Sequence, residues 1–208
     1  MNLQNRIVIP KGTEFHTIDS DGNYTTIDVP HYVSYLPEDI ALYRREFPIE
    51  IHERYGDIPI YDVITKPKRD IWIASHEAGL SLFTGMLMEH RILQGQLQVV
   101  LDIFLNSFEH LNRILNEREA KVYSLLQESL GVHSSIEKLY DAFVVSMELD
   151  DPMFKQPYEQ FAFQLMKYGY SGILDEADMH YNSYQAKQPL IILDPTCVKL
   201  IDIQEVKE

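Results

Sequence analysis

Two hydrophobic periodicities divide this chain, and the points where one gives way to the other limit the folds open to it. Through the middle, Leu93, Leu97, Val100, Phe104, Phe108, Leu111 and Leu115 recur every three or four residues. That spacing lines side chains up along one face of an α-helix. Val122, Leu125 and Leu126 continue it, as do Ile136, Leu139, Tyr140, Phe143, Val144 and Met147, with Ser134 and Ser135 placed to cap the last helix. Four or five helices are therefore expected between residues 75 and 168. Their apolar stripes are best used against one another, because a helix that cannot bury such a stripe is rarely stable.

On either side the pattern is short and strand-like. Runs at 6–10, 13–18 and 24–28 flank the polar turn Asp19-Ser20-Asp21-Gly22-Asn23, and a hairpin of 13–18 with 24–28 is expected. Runs at 58–65 and 70–74 flank Lys66-Pro67-Lys68-Arg69 and read as a second strand pair, with a short helix at 38–47 between the pairs. After residue 168 the strand signal returns at 169–175, 189–195 and 198–206. The order of elements predicts an α+β fold in one domain, 1–208. Its β-rich parts, 1–75 and 169–208, form a split, mixed but mainly antiparallel β assembly around a large central helical block at 76–168.

Charge narrows the function. With 18 basic and 32 acidic residues the formal net charge is −14, so a phosphate backbone or an anionic leaflet is repelled over most of the surface. Direct nucleic-acid binding is not expected, and a basic protein partner is compatible. Cys197 is the single cysteine and cannot form an internal disulfide, which fits a reducing compartment. No apolar run approaches the roughly 20 residues that cross a bilayer, and the first residues lack the apolar region of a signal peptide. A soluble cytoplasmic protein without a membrane anchor is expected.

Familiar catalytic patterns find little purchase. His76-Glu77, Glu89-His90 and Glu109-His110 are adjacent pairs, and neighbours on a helix point about 100° apart, so none has metal-ligand spacing. No metal is expected. Neither a phosphate-cradling glycine loop nor a GxSxG elbow can be written. The apolar strand context of Cys197 raises a thiol pKa and marks it as inert. Asp175, Glu176 and Asp178 are clustered acids of the kind usually solvated in a turn.

The β-rich ends carry a resemblance. Ile9-Pro10-Lys11-Gly12-Thr13-Glu14-Phe15-His16-Thr17 resembles the first core strand of ADP-ribosyltransferases, in which an aromatic residue precedes the Arg or His that contacts NAD. His31-Tyr32-Val33-Ser34-Tyr35, leading to Ala41-Leu42-Tyr43, resembles that family's serine- or tyrosine-bearing strand and the helix beneath its nicotinamide pocket. Gly169-Tyr170-Ser171-Gly172-Ile173-Leu174-Asp175 and Pro189-Leu190-Ile191-Ile192-Leu193-Asp194-Pro195 are similar to the closing strands of ADP-ribosyltransferase-like domains often carried by phages. The resemblance spans about 90 residues in two blocks and skips the helical middle.

It implies an ADP-ribosyltransferase-type fold, NAD as cofactor and a host protein as target. His16, Ser34 and Tyr35 would be the cofactor-binding residues. Where the family has its catalytic glutamate, this chain reads Tyr184-Gln185-Ala186-Lys187-Gln188-Pro189, so Gln188 or Gln185 would have to substitute. A neutral amide supplies only a dipole where a carboxylate would stabilise the cation that forms as nicotinamide leaves, a difference of about 3 kcal/mol. Two readings follow: an NAD-dependent transferase with an altered site, or a non-catalytic member of the fold whose acidic surface and helical block bind a protein, as in an inhibitor of a host enzyme or a virion component.

Overall fold

The computed structural model describes residues 6–206 apart from 25–26, 28–29, 93, 111–113, 116, 132–133, 148–151 and 176–184, and not the side chains of 109, 118 and 152–154. The β-rich ends form two sheets. β1 (Arg6–Ile9), β5 (Ile71–Ala74), β6 (Gly172–Leu174), β7 (Leu190–Ile192) and β3 (His31–Val33) lie side by side in that order, while β2 (Phe15–Asp19), β4 (Tyr61–Pro67) and β8 (Val198–Glu205) make the second. Every pairing is antiparallel except β5 with β6. Each sheet thus combines strands from both ends of the chain, and the fold is mixed α+β.

Both expected local pairings are corrected. β2 pairs with β4 rather than with 24–28, most of which lies outside the described residues. β4 and β5 do not pair with each other. The chain leaves the three-stranded sheet at Pro67, which has no N–H to donate, and β5 enters the five-stranded sheet between β1 and β6. Turn chemistry at 66–69 marked the break between two strands but could not say which sheet received each one.

Alternation along β7 explains the layering. Ile191 faces a core shared with the helices, whereas Leu190 and Ile192 face a second core between the sheets, with Phe15 from β2 and Val198 from β8. β6 and β7 approach so closely that a Cβ on Gly172 would meet the Ile191 carbonyl oxygen at 2.3 Å, so only glycine fits there.

The block is α2 (His76–Met88), α3 (Gln94–Glu109), α4 (Glu117–Leu130), α5 (Ile136–Ser146) and α6 (Pro152–Lys167). As expected, Ser135 caps α5, its hydroxyl accepting from Lys138 N–H at 3.2 Å, and Ser75 does the same for α2 from Ala78 at 3.3 Å. Leu97, Val100 and Phe104 are buried, and Phe83, Tyr140, Phe143 and Phe161 stack through tilted and edge contacts. Leu93 and Leu111 lie outside the described residues.

The helix expected at 38–47 is longer. α1 (Pro37–Tyr55) continues past Pro48, although proline removes one helical bond. Leu42, Tyr43, Phe47 and Ile51 keep helical spacing across the proline and pack with Ile18 and Ile60 of the three-stranded layer. That burial outweighs the lost bond. Gly56, at φ 82°, turns the chain out.

Candidate functional site

His16 sits on β2 directly opposite Ser34, which follows β3. Their backbones exchange both hydrogen bonds, His16 N–H to Ser34 O at 2.8 Å and Ser34 N–H to His16 O at 2.9 Å, so their side chains share one face. The imidazole Nδ1 lies 3.0 and 2.9 Å from the two carboxylate oxygens of Asp62 on β4. Arg44 of α1 reaches the same carboxylate, with Nε 3.0 Å away and a second contact through Nη2. Burial pushes the Asp62 carboxyl up, and the bonds from His16 and Arg44 outweigh it, holding the group below its ordinary value. The carboxylate is thus anionic at neutral pH and accepts from Nδ1 of His16.

Tyr35 belongs to the other face. One residue beyond Ser34, it turns toward Phe15, with ring centroids 6.5 Å apart, and its hydroxyl donates to the side-chain carbonyl of Gln188. Burial and the charge of Asp39 raise its phenol pKa. Asp39, in the first turn of α1 and itself buried, accepts the backbone N–H groups of Lys187 and Gln188, each at 2.9 Å. Lys187 completes the clasp through Glu38 at 3.0 Å. Gln185 is exposed and holds φ at 55°, left-handed for a non-glycine residue. The five residues singled out from sequence therefore fall into a His16–Ser34 pair, a Tyr35–Gln188 pair, and a separate Gln185.

Beside the first pair lies a small enclosed cavity. Thr17, Tyr32, Asp175 and Leu190 line it with His16 and Ser34, and α1 closes it with Tyr43 and Phe47. Its volume is about 10 Å³, room for a single water. The Ser34 hydroxyl is fully buried and has no hydrogen-bond partner among the described residues. Tyr35 and Gln188 are not part of this lining.

His76 Nε2 lies 2.9 Å from Asp141 Oδ1 on the helical block. Among the described residues no three His, Cys, Asp or Glu side chains converge as a metal site. Burial raises the Cys197 thiol to about 11, in keeping with the inert thiol expected from its strand context. Glu176 and Asp178 lie outside the described residues, while Asp175 is buried at the cavity rather than solvated in a turn. No helix among the described residues is long and apolar enough to cross a membrane.

Asp62, Arg44 and Asp39 are the site residues that sequence reading missed, and Asp175 is the one it set aside as a solvated turn acid. One signal was available for Asp62: an acid at the second position of an otherwise apolar strand, in Tyr61-Asp62-Val63-Ile64, is costly unless paired. Compared with known protein families, with curated proteins and with solved structures, the chain matches none.

Proposed function

We propose that this chain is a non-catalytic protein-recognition module on an ADP-ribosyltransferase-like frame, with an acidic surface that engages a protein partner, the host-protein role implied by the resemblance to phage-borne domains. The observation that carries this reading is the division of the expected cofactor residues. His16 and Ser34 face a cavity with room for one water, whereas ligand pockets usually measure about 300–1,000 Å³. Tyr35 and Gln188 are bonded to each other on the opposite face. His16 is engaged by Asp62, so the imidazole has a structural partner without a cofactor.

One observation favours the alternative, an NAD-dependent transferase. His16 and Ser34 are adjacent although one lies on β2 of the three-stranded sheet and the other just beyond β3 of the five-stranded sheet, and the segment before β7 that bears Gln188 is clasped to the start of α1 by Asp39. For catalysis, α1 would have to withdraw Tyr43 and Phe47 from the cavity.

Nicotinamide release by the native chain and by Gln188→Glu separates the two. The recognition reading expects no release from either. Release by the native chain, abolished in His16→Ala with the fold intact, would establish the transferase instead. Release by Gln188→Glu alone would mean that the pocket accepts NAD and lacks only the acid.

A further inference from the structure

The face of α1 opposite the closed cavity borders an open trough. Arg44, Arg45, Pro48, Ile49 and His52 form one wall, and the segment 57–60 with Glu205 and Val206 forms the other; the volume is about 480 Å³. It continues past Arg44 and Arg45 into a second depression of about 410 Å³ floored by Asp62 and flanked by Gln204 and Glu205. Helical periodicity produces this division. Tyr43 and Phe47 turn inward, while Arg44, Arg45, Pro48, Ile49 and His52 turn outward.

The charged groups of the trough are not equivalent. Its basic side chains already have partners: Arg44 with Asp62, Arg45 with Glu46 at 2.6 Å, and His52 Nε2 with the Ile58 carbonyl at 3.0 Å. The side-chain carboxylates of Asp57 and Glu205 have no hydrogen-bond or ion-pair partner among the described residues. Pro48 has no N–H to offer the carbonyl of Arg44, so a backbone acceptor lacks its usual helical donor on the same wall. Between these acceptors lie Ile49, 52% exposed, Ile58, Pro59 and Val206. The unused valences are thus anionic or accepting, set around apolar side chains, on a chain of net charge −14.

We propose that this trough is the docking site for a basic, apolar segment of a protein partner, in which an aliphatic side chain packs on Ile49, Ile58 and Pro59 and a flanking Arg or Lys meets Asp57 and Glu205. The inference rests on the recognition reading above and supplies its site and the chemistry of its partner. An acidic ligand is disfavoured, because it would have to draw Arg44 or Arg45 away from an existing carboxylate in the field of the whole chain.

The test uses the full chain, isotopically labelled, titrated with the peptide acetyl-Arg-Leu-Arg-Leu-Arg-amide and, as control, the same peptide with Glu for each Arg. Saturable amide shifts confined to residues 44–60 and 204–206 are expected with the basic peptide only, weakening as salt screens the pairs. Asp57→Asn with Glu205→Gln should raise the dissociation constant about tenfold, the factor that 1.4 kcal/mol represents, and Ile49→Ser should raise it severalfold. Glu137→Gln with Glu159→Gln removes the same charge from exposed positions of the helical block and should change nothing. Shifts scattered over the acidic surface, equal losses in the two double variants, or no binding would overturn the proposal. Cleavage of NAD by the native chain would sink the recognition reading, whereas the peptide result bears on the trough alone.

Discussion

The helical block and the two-sheet frame are both well packed, yet they bury different chemistry. In the block the interior is aromatic and aliphatic: Phe83, Phe143, Phe161, Leu97, Leu101, Leu126 and Leu165. Its buried Ser129 and Ser146 return their hydroxyls to carbonyls three residues earlier in their own helices, and its buried carboxylate, Glu119, meets Arg54 of α1 at 3.2 Å. The frame instead buries His31, Ser34, Asp39, Asp62, Thr65, Asp175 and Asp194. Buried polar groups are costly unless satisfied, so their concentration in one region shows where the chain departs from simple packing. There the chemistry of Asp62 and Asp39 is spent on tying β2, α1 and β7 together.

The strongest challenge to that contrast is Phe104→Asp. Phe104 is buried in the block, and an unpaired carboxylate there should leave no folded protein; a cooperative melt close to that of the native chain would refute the assignment. In the frame, Asp62→Ala should cost about 3 kcal/mol, because it removes the partner of buried His16 while exposed Arg44 recovers water. Chemical denaturation measures it. A loss under about 1 kcal/mol would mean that the carboxylate behaves as a surface pair.

Acid should weaken the frame selectively. Burial pushes His31 down to about 4, below its value of about 6.5 in the unfolded chain. The unfolded state therefore takes up the proton first. This contribution is fully present above pH 6.5, falls by about 3 kcal/mol as pH drops toward 4, and is level below that. Asp62, also held low, acts in the same direction at lower pH. His31→Gln should flatten the stability curve between pH 6.5 and 4, and an unchanged slope would show that His31 does not carry it.

A smaller effect probes the block. A Cβ at Gly79 would stand 2.1 Å from the Tyr140 hydroxyl, which is buried without a hydrogen-bond partner among the described residues. Gly79→Ala should cost about 2 kcal/mol, most of it recovered in a Tyr140→Phe background. Tyr140→Phe alone should gain about 1 kcal/mol. Additive changes in the double variant would show that the two positions do not meet.

Much of this architecture was legible because periodicity is local. The spacing from Leu97 to Phe108 requires a helix whatever it packs against, and Ser135 marks its helix start unaided. Strand pairing is not local: nothing in 58–74 states that β4 joins β2 and β8 while β5 joins β1 and β6. The site was readable to the same limited degree. His16 and Ser34 did meet, His16 in the strand read from its run at 13–18 and Ser34 just beyond β3, which only the resemblance implied. Tyr35 could have been assigned to the opposite face from alternation alone. Asp62 and Asp39 act on residues 18 to 149 positions away, and only the fold reveals such partners.

The account rests most on the closed cavity between His16, Ser34, Tyr43 and Phe47. Its direct test is the melting temperature of the purified chain with and without millimolar NAD. A ligand at about 100 times its dissociation constant adds about 2.7 kcal/mol, which a melt resolves as several degrees. The account predicts no displacement; a displacement of that size, lost in His16→Ala, would contradict it and reopen the cavity as a cofactor site.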